Sequence, residues 1–420
     1  MAPVPDATRA GWARRGLRLL GRAALSLLML FSIGWACLAF WYQGPGAVWA
    51  KAVLMLAWVA LGLYALLRLW HGVGRLRRRP ALWAYLLAVI ALAAWWQGIA
   101  PSNDRVWADD VARTLRGNVA GSIVTLDNVR DFKWRSDSDY TQRWETRVYD
   151  LNDLRSVDMV LSYWDGPAIA HTLVSFGFAD GRHVVFSVEI RKERGEQFSE
   201  LGGFFKKFEL SVVAADERDV LYVRAGPRAE NVYIYPVQMP VDVMRELFLS
   251  YVRTANELAD TPRFYHTVTA NCTTLVYRMV RAIVPGLPLD YRILLSGYLP
   301  EYLYEQGGLD TRLPLQTLRE RGFVGIPPIL GEDSIGFSRS IRRHLRAEPA
   351  GSAMISLRAV WLALLLGVLV FLLMRTPGVR LYDAIARRLR GRRAGQTPRD
   401  PRPQGKGARA RRASQARQPG

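Results

Sequence analysis

The chain has 420 residues, half of them hydrophobic, and a net charge of +20. The positive charge is gathered in Arg14–Arg22, in Arg75-Leu76-Arg77-Arg78-Arg79 and after Met374, each cluster beside a long apolar run. That pattern belongs to membrane topology and excludes nucleic acid as a partner, and the absence of zinc-type Cys/His spacing or a Walker-type glycine loop leaves no metal or organic cofactor to expect.

Four apolar runs, Ala23 to Tyr42, Val48 to Trp70, Ala81 to Ile99 and Ala353 to Met374, are each long enough to cross a bilayer. Trp41, Tyr42, Trp49, Trp70, Trp95 and Trp96 lie near span ends, where amphipathic rings prefer the headgroup level. The arginine clusters place the N-terminus, the loop 71–80 and the tail on the cytoplasmic side. The expected organisation is a basic cytoplasmic N-terminus (1–22), three transmembrane helices (23–100), an exported α+β domain (101–351), a fourth transmembrane helix (353–374) and a disordered basic cytoplasmic tail (375–420). In a bacterium this puts the main domain in the periplasm, anchored in the inner membrane.

In the exported segment, Pro101 to Arg116 reads as a polar helix leading out of the membrane. Asn118 to Arg155 reads as strands and loops, Val157–Tyr163 as a strand and Trp164-Asp165-Gly166-Pro167 as a turn. His171–Phe178 and His183–Ile190 both alternate, which predicts a β-hairpin. A three-residue loop, Ala179-Asp180-Gly181 with Gly181 left-handed, sets the rows Thr172, Val174, Phe176, Phe178 and Val184, Phe186, Val188, Ile190 on one face. His171, Ser175, Ser187 and Glu189 then share the polar face, with His171 opposite Glu189. Further expectations are a strand at Val220–Arg224, a strand at Asn231–Tyr235 and an amphipathic helix from Pro240 to Asn256. The chain is loop-rich after Pro285. Phe204, Phe205 and Phe208 read as core, with a membrane-facing lip as the alternative.

Cys272 is the one cysteine outside the apolar N-terminal region. Leu275, Val276, Met279, Val280 and Ile283 recur at helical spacing behind it, so a helix begins near the thiol, capped by Asn271 or Thr269. The positive end of a helix dipole favours thiolate, which is the nucleophile. Cys37 lies within the first span and cannot pair with it, so Cys272 is a lone thiol in an oxidising compartment, either reactive or a buried structural residue. With His171 as base and Glu189 as orienter, the three form the constellation of thiol acyl transfer. His266 is a rival base, His183 reads as a solvated residue, and Glu189 with Arg191 as a surface ion pair is the plainer alternative.

The histidine precedes the cysteine, as in the circularly permuted branch of the NlpC-type papain-like fold and in lecithin:retinol acyltransferase. More closely, Ala170-His171-Thr172, Phe178-Ala179-Asp180-Gly181, Ser187-Val188-Glu189-Ile190-Arg191, Glu217-Arg218 and Asn271-Cys272-Thr273-Thr274 resemble the Lnb N-terminal periplasmic domain family. Phe337-Ser338-Arg339-Ser340-Ile341-Arg342 is similar to its later segment. The resemblance implies a permuted papain-like α+β domain on a polytopic anchor, Cys272 as nucleophile, His171 as base, and transfer of an acyl chain within the lipidated N-terminus of a lipoprotein. Membrane lipid and a lipidated protein are the expected partners. A thiol peptidase or amidase on cell-wall peptide and a non-catalytic membrane-anchored binding module are the alternatives.

Overall fold

A computed structural model describes residues 7–71, 75–326 and 333–346. The expected fourth span and basic tail lie outside the described residues. Three long helices open the chain: α1 (Ala7–Gln43), α2 (Val48–His71) and α3 (Arg75–Gly98). Within them Arg15–Gln43, Val48–His71 and Pro80–Gly98 are long and apolar enough to cross a membrane. They pack together through Met29, Ala36, Trp58, Ala65, Tyr85 and Leu92, while residues such as Leu27, Phe31, Leu56, Leu87 and Ile90 face outward.

The rest is a mixed α/β domain. Its strands are β1 (Arg116–Ala120), β2 (Ile123–Arg130), β3 (Lys133–Trp134), β4 (Tyr140–Thr141), β5 (Trp144–Asp150), β6 (Leu154–Asp165), β7 (Ile169–Phe178), β8 (His183–Arg191), β9 (Glu209–Asp216) and β10 (Asn231–Pro236). The main sheet runs β1-β2-β9-β8-β7-β6-β10, with β5 also on β2 and a small β3–β4 pair apart. Helices α4 (Glu217–Ala225), α5 (Val241–Asp260), α6 (Thr274–Ile283), α7 (Leu299–Glu305), α8 (Leu315–Gly322) and α9 (Ser334–Ile341) cover it.

The predicted hairpin is β7–β8. Leu173 pairs with Ser187, Phe176 with Val184 and Gly177 with His183, a register that brings His171 opposite Glu189. Residues 179–181 form the loop, closed by Phe178 and Arg182. Gly181 has φ +86°, a backbone that only glycine adopts without strain. Val174, Phe176, Val184, Phe186 and Val188 pack under α5, whose Met244, Leu247, Phe248, Tyr251, Val252, Ala255 and Leu258 recur at helical spacing. Phe248 sits among Phe176, Phe178 and Phe186; burying one such ring contributes about 1.5–3 kcal/mol.

The structure differs from the sequence reading in four respects. The opposite face of the hairpin is not solvated: Leu173, Val185, Val213 and Ala215 are covered by α4 and α9. Residues 220–224 are helical, because the Asp216 carboxylate accepts from the Arg218 N–H and Glu217 and Asp219 favour the positive helix end. Residues 101–116 contain only a single 3-10 turn, Asp109–Val111; their polar groups bond to other elements, Asn103 Nδ2 to Leu258 O and Ala259 O among them. Arg191 is buried and donates to Val111 O, Ala112 O and Asn103 Oδ1, so it anchors this connector and is not a surface partner of Glu189.

Candidate active site

Residues 263–274 run as an irregular loop into α6. Asn271 organises it. Its Oδ1 accepts from the N–H groups of Thr273 (2.9 Å) and Thr274 (2.7 Å), and its Nδ2 donates to Thr267 O. Asn271 is therefore the residue that satisfies the helix start, and Thr269 is not. Cys272 lies two residues ahead of the first helical residue, half-buried. Asn271 occupies the Thr273 and Thr274 amides, and the backbone N–H of Cys272 makes no hydrogen bond among the described residues.

The β7–β8 ladder stops at Leu173 and Ser187, and the cysteine loop meets the strands where they part. The Cys272 sulfur lies 3.8 Å from Thr273 Oγ1, whose hydroxyl is 3.3 Å from that of Thr172, and the neighbouring His171 imidazole favours its charged form. His171 Nε2 lies 2.7 Å from Ser187 Oγ and 3.1 Å from Glu189 Oε1, and Ser187 Oγ donates to Glu189 at 2.7 Å. With Nε2 held there, Nδ1 is the nitrogen left for the sulfur. Arg224 from α4 reaches Glu189 Oε1 and Glu230 Oε2, both at 3.2 Å, and Ser162 Oγ donates to Glu230. Imidazole, hydroxyl, carboxylate and guanidinium thus form one connected line, with the sulfur beside its histidine end.

The charges reinforce one another. Burial disfavours an imidazolium at His171, but the Glu189 carboxylate overrides it and, with the thiolate, raises its pKa to about 9. Burial likewise pushes the Cys272 thiol up, yet the neighbouring imidazolium brings it below the ordinary thiol value. Glu189 is held far below the carboxylate range against burial, by His171 and Arg224. Both shifts act in the direction of a thiolate–imidazolium pair. Alkylation of Cys272 by iodoacetamide should therefore proceed at pH values where an ordinary thiol is protonated. In His171→Ala burial acts without the cation, so the alkylation profile should move to higher pH. An unchanged profile would mean that the pair does not form.

The rival histidines are placed elsewhere. His266 Nδ1 accepts from the N–H groups of Val268 and Thr269 and its ring meets Phe204, so it stiffens its own loop. His183 is half-buried, not freely solvated, and its ring lies with Asp158 and Glu217 in a compact group. The guanidinium of Arg342 bonds both of those carboxylates, which supplies their countercharge.

Two cavities flank the thiol. Successive residues of a strand face opposite sides, and His171 and Thr172 open onto different ones. Thr172 lines an apolar cavity of about 270 Å³ with Thr273, Val276, Val280, Leu247 and Tyr302. His171 and Glu189 line a polar cavity of about 320 Å³ that also holds Arg224 and Arg228.

The loop 198–207 ties this site to the spans. Phe205 is buried, but among Trp35, Tyr42 and Trp96 of α1 and α3 instead of in the domain core. Gln43 Nε2 donates to Lys206 O at 2.6 Å, and Lys206 Nζ donates to Trp96 O at 2.7 Å. On its other side the loop meets the cysteine loop: Thr267 Oγ1 donates to Glu200 O, and Gly203 packs so tightly that a Cβ there would lie 2.3 Å from Thr267 Oγ1. Phe208 is core as expected, whereas Phe204 is part-exposed beside exposed Phe198, Leu201 and Val268.

The structure places the sequence-predicted Cys272, His171 and Glu189 in one neighbourhood. Sequence reasoning missed Arg224, because 220–224 reads as a strand, and Ser187 as a bridge, although the alternation places Ser187 on the right face. Residues 140–297 match the family model of the Lnb N-terminal periplasmic domain, a segment that includes all five of these residues. The matched segment follows three helices long and apolar enough to cross a membrane. No curated protein and no solved structure matches the chain.

Proposed function

We propose that this Lnb N-terminal periplasmic domain is a cysteine-dependent acyltransferase of permuted papain-like architecture, held at the outer face of a bacterial inner membrane and acting on a lipidated substrate such as a lipoprotein N-terminus. The observation that carries the proposal is the grouping of Cys272, His171 and Glu189, opening beside an apolar cavity. A peptidase site for polar wall peptide has no use for a cavity lined by Val276, Val280, Leu247 and Tyr302, whereas an acyl chain fills it. The bonds from Gln43 and Lys206 favour the same substrate, since they hold the cysteine loop close to the span ends.

In this reading Cys272 thiolate attacks an ester carbonyl, the C–O bond breaks, and His171 gives its Nδ1 proton to the departing alcohol. The Cys272 N–H faces the developing oxyanion. An acceptor amine then attacks the thioester, His171 takes the amine proton, and the thiolate returns. Ser187 and Glu189 keep Nε2–H fixed throughout, so that only Nδ1 exchanges protons with substrate. Mass spectrometry of lipoprotein N-termini from cells with and without this protein tests the proposal. The expected result is an acyl chain whose position on the N-terminus depends on the protein; identical acylation patterns would refute it.

A further inference from the structure

The polar cavity beside His171 contains more than the catalytic line needs. Arg130 is bound by both Asp219 oxygens (2.8 and 3.1 Å), and Lys192 by Asp110 (3.1 Å). Glu189 is engaged by His171 and by Arg224 (3.2 Å), and Glu230 is the second carboxylate at Arg224 and the one beside Arg228. Arg224 holds it at 3.2 Å; Arg228 stands 4.0 Å away. The Nε of Arg224, buried and on the cavity lining, has no hydrogen-bond partner among the described residues. Two neighbouring guanidiniums therefore meet at Glu230, Arg224 also bonding Glu189, and the buried Nε–H of Arg224 stays unsatisfied next to the His171 ring. A buried donor without an acceptor is costly, and a guanidinium fork matches a phosphate oxygen pair. What this cavity lacks is an anion.

Resting on the acyl-transfer reading, we propose that the acyl donor is a glycerophospholipid whose phosphate is held by Arg224 and Arg228 while the transferred chain lies in the apolar cavity. The arrangement suits a donor with an anionic and an apolar end on either side of its reacting ester, because the polar cavity is lined by His171 and the apolar one by Thr172 and Thr273, the immediate neighbours of the His171–Cys272 pair. The step balances: the sulfur–carbonyl bond forms, the ester bond to glycerol breaks, and the lysophospholipid leaves as an alcohol with the proton from His171. Arg228 is exposed at the cavity, so a soluble headgroup can reach it.

The full-length protein in detergent micelles would be given phosphatidylglycerol or diacylglycerol with the same chains, and the hydroxylamine-labile acyl adduct on Cys272 followed by intact mass. Acylation from phosphatidylglycerol should be faster by on the order of tenfold or more, the effect of a charge-assisted contact. Arg228→Glu should bring the two rates close together, and Arg228→Lys should retain most of the preference. Equal rates from both lipids in the wild-type protein would overturn the assignment of this site to a phospholipid headgroup while leaving the acyltransferase reading intact. Acylation by neither lipid would overturn both.

Discussion

Replacing Cys272 with Ala or Ser should lower acyl transfer by on the order of 10⁴-fold or more, because no other group can form the thioester. The protein should remain folded and in the membrane. Cys272 is half-buried at a loop, and the helix start it precedes is secured by Asn271 independently of the sulfur. His171→Ala should be nearly as severe, since it removes the base and also the cation that lowers the thiol pKa. Glu189→Gln should cost about 10–100-fold and should show a distinct signature. Glu189 is what holds the imidazole pKa near 9 against burial, and Arg224 opposes it. Without that carboxylate the imidazolium loses its proton at lower pH, so the high-pH limb of the activity profile should move toward neutrality. Rates of acyl-enzyme formation across pH for the three variants check this set. Full activity in Cys272→Ala would leave a binding module as the better description.

Arg342→Ala should destabilise the domain by about 3–5 kcal/mol, the usual cost of removing one partner from a buried ion pair. Its guanidinium donates to Asp158 Oδ2 (2.7 and 3.0 Å) and to both oxygens of Glu217, with Ser175 Oγ also donating to Glu217 at 2.5 Å. All four side chains are buried. Burial acts to raise the Glu217 pKa, but Arg342 overcomes it and holds it at about 2. A depressed carboxyl pKa contributes stability that is present above its unfolded value, near 4.5, and is lost as pH falls toward about 2. In Arg342→Ala the sign reverses, because burial then acts on the Glu217 carboxyl without the opposing guanidinium. The variant should therefore become less stable as pH rises through neutrality, whereas the wild-type protein should lose stability only in acid. Denaturant midpoints at several pH values measure both effects; equal midpoints for the two proteins at pH 7 would show that the pair is not structural. Arg342 closes this sheet face from just beyond α9, far along the chain.

The sequence by itself determined the three spans, the hairpin and its register, and the relation of His171 to Glu189. Those features rest on local rules: apolar length for a span, alternation for a strand, and a glycine-terminated three-residue loop that fixes which residues face each other. It also singled out Cys272, because a thiol at a capped helix start is a local pattern as well. Tertiary structure alone decided that Ser175, Ser187 and Glu189 lie under cover, since their partners Glu217, Arg224 and Arg342 arrive from α4 and beyond α9. A polar row on a strand reads the same whether water or a distant guanidinium satisfies it. The seating of Phe205 among the span aromatics was equally hidden, because three adjacent phenylalanines look like core in any one-dimensional view. The choice between His171 and His266 was also tertiary: His266 stands nearer Cys272 in sequence, but its own loop amides hold its Nδ1, whereas His171 is carried to the sulfur by a strand that stops pairing where the cysteine loop meets it.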